Sequence, residues 1–66
     1  MNKLKENLKE LRINENLTQE DMAKMLNMSA TGYASYEQGK AEPSIDTLIT
    51  LARFFKVSID ELVGNE

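Results

Sequence analysis

The sequence predicts an all-α protein, folded as a compact bundle of five short helices. Three observations support this fold class. Apolar residues recur every three or four positions along most of the chain, which is the spacing of one helix face. Capping residues precede most of the apolar stretches, and glycines follow two of them. Strong helix breakers occur only in residues 38–43 and 64–66, so we expect a single domain over residues 1–66.

Three leucines indicate the position of the first helix. Leu4, Leu8 and Leu11 recur at i, i+4 and i+7, so they share one helix face. We therefore predict a helix from Asn2 to about Asn14. The polar residues 14–16 then interrupt the apolar pattern and end this helix.

The second helix is predicted to begin at Thr18 and to run to Leu26. Thr18 and Asp21 have the spacing of a capping box, in which the hydroxyl accepts a backbone N–H three residues further on. Aspartate is a slightly weaker form of the usual glutamate at this position. Asn27 is expected to end the helix, because asparagine tolerates the left-handed backbone of a tight helix exit.

The third helix is predicted to begin after the N-cap Ser29 and to end before Gly39, a typical glycine of a helix C-terminus. Tyr33 and Tyr36 are three residues apart on one side, and we expect both in the core. Gly32 lies inside this helix, where it costs about 1 kcal/mol relative to alanine.

Serines are predicted to cap the last two helices, at Ser44 and Ser58. The fifth helix is short, from Ile59 to Val63, and Gly64 stops it. The fourth helix is the most apolar, so we expect it to be the most central; its apolar residues are Ile45, Leu48, Ile49, Leu51, Ala52 and Phe55.

The composition excludes several kinds of site. The chain has no cysteine and no histidine, so it lacks disulfides, thiolate metal sites, the commonest zinc ligand and the usual general base. Apolar runs are far shorter than the roughly 20 residues that span a bilayer, and the first six residues do not form a signal peptide. We therefore expect a cytoplasmic protein that is not an enzyme and has no metal, cofactor, small-molecule ligand or membrane contact.

The second and third helices are joined by a short turn, residues 27–29, which is the signature of a helix-turn-helix. Ala23 is small enough for the two helices to approach closely, and Met28 is expected to fill the space between them. In such a pair the third helix, about Ser29 to Gln38, lies in the major groove of double-stranded DNA with its N-terminal residues at the base edges.

The charge distribution bears on this interpretation. The net charge of −3 disfavours binding to phosphates. The acidity is concentrated in residues 41–66, which carry −3, whereas residues 1–16 carry +1 and residues 17–40 carry −1. An acidic domain can still bind DNA when its negative charges face away from the duplex, although its non-specific affinity is then weak.

Three motifs occur together in register: Leu17–Glu20, Glu37–Gly39 and Val57–Ser58, and Pro43–Ser44 lies between the last two. With them, the sequence resembles the phage-repressor and Cro type of helix-turn-helix domain, also called Xre-like, over residues 4–63. The resemblance implies a lambda-repressor-like fold and sequence-specific binding of double-stranded DNA as a transcriptional regulator. Because occupancy alone blocks a promoter, we expect a repressor.

The resemblance also implies roles for individual residues. Gln19 would touch the DNA backbone and support a side chain of the recognition helix. Arg12 and Glu37 would form a buried ion pair between the first and third helices. Tyr33 stands where the family usually has an aliphatic residue, so its hydroxyl must meet solvent or a partner. The positions implied to contact DNA are Gln19, Ser29, Ala30, Thr31, Ala34, Ser35, Gln38 and Lys40. Of these, Ala30, Thr31, Ala34 and Ser35 are the base-contacting positions, and Gln38 and Lys40 contact phosphates. Ser29 is first an N-cap, and a phosphate contact would be an addition to that role.

The expected partners include a second copy of the chain. One recognition helix covers few base pairs, and the family solves this by placing two helices in successive major grooves about 34 Å apart. We therefore expect a homodimer on a near-palindromic operator, with its contact surface around Ile59, Leu62 and Val63.

The sequence also allows an alternative function. The residues at the base-contacting positions lack the side chains that make bidentate bonds with guanine or adenine. They offer methyl groups and hydroxyls instead. This composition and the acidic balance favour a protein-interaction module, or an antitoxin-like subunit with a protein partner, that keeps the fold with weak or no DNA binding of its own.

Overall fold

Five α-helices are present in the computed structural model, which describes residues 3–64. They are α1 (Leu4–Asn14), α2 (Gln19–Met25), α3 (Ala30–Gln38), α4 (Ile45–Phe55) and α5 (Ile59–Val63). The predicted all-α fold class with five helices is confirmed, and residues 3–64 contain no strand. The predicted start of the first helix at Asn2 lies outside the described residues, as does the end of the breaker segment 64–66.

Side-chain caps begin the last four helices. Each cap hydroxyl accepts the backbone N–H of the residue three positions further on, which satisfies a donor that has no partner inside the helix. The box between Thr18 and Asp21 is complete, since the Thr18 backbone N–H donates to Asp21 Oδ2 at 2.9 Å. The capping residues are Thr18, Ser29, Ser44 and Ser58, as the sequence predicted.

Left-handed residues end three of the helices. Gly39 (φ 77°) and Gly64 (φ 70°) follow α3 and α5, where glycine adopts this conformation without steric cost. Asn27 (φ 59°) lies in the turn after α2, in the conformation expected for asparagine. Lys56 (φ 58°) holds the same conformation after α4, although its Cβ makes that conformation unfavourable.

The core takes one fully buried side chain from every helix. These side chains are at most 1% exposed, and burying each of them contributes about 1.5–3 kcal/mol relative to leaving it in water. They are Leu8 of α1, Met22 of α2, Tyr33 of α3, Leu51 of α4 and Leu62 of α5. The short helices are therefore held together mainly by one shared core rather than by their own length.

The prediction that the fourth helix is the most central is wrong. Only Leu51 and Ala52 of α4 are buried, whereas Ile45 is 69% exposed and Phe54 is 43% exposed. The helix α4 packs chiefly against α5, while α1 packs against both α3 and α5. The number of apolar residues in a helix does not indicate how many of its faces are packed against other helices. Some of the apolar residues of α4 lie on faces that no other helix covers.

The two ends of the described chain are joined. The backbone N–H of Lys3 donates to the carbonyl of Val63 at 2.7 Å. The side-chain amide of Asn7 donates to the carbonyls of Leu62 at 3.1 Å and Glu61 at 3.3 Å. The last carbonyls of a helix have no intrahelical partner. Residues of α1 and its N-terminus therefore complete the hydrogen bonding of α5.

Candidate nucleic-acid interface

The turn between α2 and α3 has the compact form of a helix-turn-helix. The backbone N–H of Met28 donates to the carbonyl of Ala23 at 2.9 Å, and Ala23 is buried. A Cβ at Gly32 would lie 3.0 Å from Ser29 Oγ and 3.1 Å from Met28 Cε. The absence of a Cβ at Gly32 therefore lets Met28 and Ser29 pack closely against the first turn of α3. This close packing offsets the low helix propensity of glycine.

The predicted base-contacting residues lie along one side of α3. A spacing of four residues places Ala30 beside Ala34 and Thr31 beside Ser35. Ala30 and Thr31 are exposed, whereas Ala34 and Ser35 are half-buried. The Ser35 hydroxyl donates to the carbonyl of Thr31 at 3.1 Å, so its proton is already used within the helix. What remains for a partner on this side is methyl groups, the Thr31 hydroxyl and the acceptor capacity of Ser35.

The predicted phosphate-contacting residues lie near the two ends of this helix. Ser29, at the N-terminus, is exposed and is occupied as a cap. Gln38 and Lys40, at the C-terminus, are both exposed. The backbone N–H of Lys40 donates to the carbonyl of Ser35 at 3.0 Å, which fixes the exit of the chain from α3.

Arg12 and Glu37 form an ion pair that joins α1 to α3. Arg12 Nε donates to Glu37 Oε2 at 2.7 Å, and Arg12 Nη2 donates to Glu37 Oε1 at 3.1 Å, so the pair is bidentate. The side chains are 12% and 2% exposed, respectively. Arg12 Nη1 also donates to the carbonyl of Leu17 at 2.8 Å, which ties the start of α2 to the same group.

Two further donors bind the Glu37 carboxylate. The hydroxyl of Tyr33 donates to Oε2 at 2.6 Å, and the Nε2 amide of Gln19 donates to Oε1 at 3.1 Å. Each carboxylate oxygen therefore accepts two hydrogen bonds. We call Arg12, Gln19, Tyr33 and Glu37 the Glu37 network.

The pKa values of the network follow from this geometry. Burial alone would raise the pKa of Glu37, but the bonds from Arg12, Tyr33 and Gln19 together outweigh it, so the pKa is lowered. The bond to Glu37 raises the pKa of Arg12 despite partial burial. Burial and the bond to Glu37 raise the pKa of Tyr33. At neutral pH the network holds one positive and one negative charge.

Sequence reasoning predicted parts of this network but not its convergence. It left the hydroxyl of Tyr33 to solvent or an unnamed partner, and the partner is Glu37. The i, i+4 spacing of these two residues on one helix was an available signal. The family resemblance implied that Gln19 supports a side chain of the recognition helix, and the structure shows that this side chain is Glu37. The two residues are 18 positions apart, so nothing local in the sequence indicates which side chain it is.

The structure corrects one residue of the expected dimer surface. Leu62 is 0% exposed because its side chain fills the core, so it cannot contact a second copy. Ile59 is 39% exposed and Val63 is half-buried, and their spacing of four places them on one side of α5.

No helix in residues 3–64 is both long enough and apolar enough to cross a membrane. Among the same residues, no group of three or more Asp and Glu side chains has an arrangement that could hold a metal ion.

The fold and the α2–α3 geometry define a helix-turn-helix domain of the class found in DNA-binding transcriptional regulators. The family profile described as "Helix-turn-helix" matches residues 8–62. The chain belongs to this family. The phage-repressor and Cro type of helix-turn-helix domain predicted from the sequence is thereby confirmed.

The similar proteins carry the names of regulators. The chain is 43% identical over 61 residues to the "HTH-type transcriptional activator BcrR" of Enterococcus faecalis, covering 92% of this chain and 30% of that protein. It is 40% identical over 62 residues to the "Cryptic phage CTXphi transcriptional repressor RstR" of Vibrio cholerae, covering 94% and 55%. An uncharacterized HTH-type transcriptional regulator of Methanocaldococcus jannaschii is 41% identical over 59 residues, covering 89% of each chain.

A solved structure supports the same fold. The crystal structure of a transcriptional regulator from Listeria innocua superimposes with a TM-score of 0.93 at 39% sequence identity, covering 97% of this chain and 60% of that one. The chain thus spans 30% and 55% of the two bacterial relatives above and nearly the full length of the archaeal one.

Proposed function

We propose that this protein binds a double-stranded DNA operator in a sequence-specific manner and regulates transcription from it, with α3 in the major groove. The Arg12–Glu37 pair is the observation that supports this most directly. Glu37 is the only acidic residue of α3, and its charge is balanced by a bidentate arginine at 2.7 Å. The helix offered to the groove therefore carries no uncompensated negative charge.

The exposed side of α3 supplies the proposed base contacts. Methyl groups of Ala30, Ala34 and Thr31 suit the C5 methyl of thymine, and the Thr31 hydroxyl suits either a donor or an acceptor. Ser35 can accept a bond but its proton is used within the helix. The proposed phosphate contacts are Gln19, Ser29, Gln38 and Lys40.

Selection of bound sequences from a random DNA pool tests this function. We expect an enriched near-palindromic consensus, and binding that weakens steeply as salt rises. Because the net charge is −3, the first measurements belong at low salt. A pool without enrichment, together with no binding at low salt, would contradict the proposal.

Two matched variants locate the binding face. Thr31→Glu places a negative charge on the proposed base-contacting side of α3, in the first turn, where the helix dipole tolerates it. Thr50→Glu places the same charge on an exposed position of α4. We expect the first variant to lose operator binding and the second to retain it, with both folded by circular dichroism. Equal losses would place the DNA elsewhere.

We propose further that the protein binds as a homodimer. The half-site spacing of about 34 Å requires two copies, and we assign Ile59 and Val63 of α5 to their contact. Sedimentation with and without operator DNA measures the stoichiometry. Ile59→Lys should prevent dimers, whereas Ile13→Lys, at an exposed isoleucine of α1, should not. Wild-type protein that stays monomeric even on its operator would contradict this proposal.

Repression is the proposed direction of regulation. The similar proteins include one named an activator and one named a repressor. A bound dimer that covers a promoter represses without any further contact, and a reporter gene downstream of the selected operator measures the direction. The cytoplasmic location stays a prediction that accompanies a DNA partner.

The acidic balance favours one second candidate, a protein-interaction or antitoxin-like subunit with weak DNA binding of its own. This candidate predicts no operator in the selection and DNA binding only after a protein partner is added. The net charge of −3 is the observation that supports it.

A further inference from the structure

The hydroxyl of Tyr33 donates a hydrogen bond to the Glu37 carboxylate from a fixed position. The Tyr33 ring is fully buried and packs edge-on against Tyr36, with ring centroids 6.1 Å apart. The hydroxyl lies 2.6 Å from Glu37 Oε2. The terminal torsion of a glutamate is broad, so the plane of the carboxylate is set by its partners rather than by the side chain itself. Arg12 binds both oxygens of the carboxylate, and the hydroxyl on the buried Tyr33 ring adds a donor of fixed position at Oε2.

The carboxylate plane in turn decides how the Gln19 amide is oriented. Gln19 Nε2 donates to Glu37 Oε1 at 3.1 Å. The amide oxygen would be repelled at this position, so the anion selects the orientation with nitrogen inward. The amide nitrogen has a second N–H that this bond leaves free for another acceptor. Gln19 is the first residue of α2 and is half-buried, which limits its other orientations.

From this chain of contacts we propose that Tyr33 is a positioning residue for DNA binding: through Glu37, it fixes the Gln19 amide so that its second N–H meets a DNA phosphate. The proposal rests on the DNA binding proposed above and deepens it. A side chain that is already ordered loses less conformational entropy on binding, so the contact gains affinity without any added atoms. Because a phosphate contact carries no sequence information, the gain applies equally to operator and to random DNA.

The test is a double-mutant cycle on DNA affinity. Tyr33→Phe keeps the ring and removes only the hydroxyl, and we expect it to weaken binding about five-fold on operator and on random DNA alike. In a Gln19→Ala background the same change should have no further effect. Tyr36→Phe is the matched control, since it removes a tyrosine hydroxyl from α3 that does not contact Glu37, and it should leave affinity unchanged.

A second measurement needs no DNA. Relaxation of the Gln19 side-chain amide in the ¹⁵N NMR spectrum should show an ordered group in the wild type and a mobile one in Tyr33→Phe, while the backbone spectrum stays that of the wild-type fold. A mere packing role for Tyr33 would not change this amide.

The outcomes separate the two proposals. Tyr33→Phe losses of equal size with and without Gln19 would overturn the positioning role and leave DNA binding intact. A loss on operator alone, or a Gln19 amide that stays ordered in Tyr33→Phe, would overturn it as well. Wild-type protein that binds neither operator nor random DNA would overturn both the positioning role and the proposed function.

Discussion

Replacing Glu37 with glutamine removes the negative charge on which four hydrogen bonds converge. In the wild type, two donors face each carboxylate oxygen. In Glu37→Gln, one of these oxygens becomes an NH₂ group, so two of the four donors face a donor. The Arg12 charge, which is only 12% exposed, then has no counter-charge.

The expected loss follows from this burial. Breaking a buried ion pair by removing one partner costs about 3–5 kcal/mol. Because Arg12 keeps a little solvent contact and its bond to the Leu17 carbonyl, we expect the lower end, about 3 kcal/mol. A domain of this size has a total stability of about 3–10 kcal/mol. Glu37→Gln should therefore remove a large part of it.

Urea unfolding followed by circular dichroism measures this loss. With a slope of about 1 kcal/mol per molar for so small a chain, the midpoint should fall by about 3 M. Glu10→Gln, at an exposed position of α1, is the control and should leave the midpoint within about 0.5 M. If the two variants behave alike, the network does not hold the three helices together, and the reasoning is refuted.

Three further predictions concern pH, a helix exit and the joined ends. The lowered pKa of Glu37 means that the unfolded state binds more protons than the folded state. The stabilisation from Glu37 should therefore be fully present above pH 4.5, the ordinary glutamate value, and should be lost as the pH falls below it. Denaturation at several pH values should show a shallower loss of stability for Glu37→Gln than for the wild type. Lys56→Gly should stabilise the protein by about 1 kcal/mol, because the backbone at this position is left-handed. Lys9→Gly, inside α1, should destabilise the protein by about as much. A thermal unfolding temperature that is not higher for Lys56→Gly than for Lys9→Gly would contradict this. Asn7→Ala should cost about 1 kcal/mol and speed amide exchange in α5, and unchanged exchange there would count against the role of its side-chain bonds.

Helix starts were predictable because capping is local. A serine or threonine and the residue three positions on contain all the information needed, and Thr18, Ser29, Ser44 and Ser58 all cap as expected. The left-handed Lys56 was not predictable from its residue type. The structure explains only that its backbone N–H bonds to the carbonyl of Arg53, as a helix exit requires.

Burial on a short helix was harder to predict. Leu62 and Ile59 are both apolar and both belong to a helix of five residues, so periodicity cannot say which one faces the core. The packing of α5 against both α1 and α4 decides that Leu62 is enclosed and Ile59 is not. The same limit applies to α4, where the high apolar content of the helix did not indicate that Ile45 is exposed.

The candidate site was predictable in its scaffold and less so in its chemistry. The Arg12 and Glu37 pair was implied by the family resemblance and is present at 2.7 Å. The Gln19 bond depends on how α2 approaches α3, which is a tertiary property, and the used proton of Ser35 depends on a hydroxyl rotamer. Neither has a signature in the order of residues.

The hydrogen bond between Lys3 and Val63 brings the two ends of the described backbone together. When the two ends of a chain are adjacent, they can be joined and the chain can be broken elsewhere, which changes the order of the helices along the chain but not their packing. A short peptide that joins the two ends, with a new break in the exposed residues 40–42, would give a circular permutant that begins with α4 and α5. The helix-turn-helix would then follow α5, the helix proposed to hold the dimer, with every packing contact preserved.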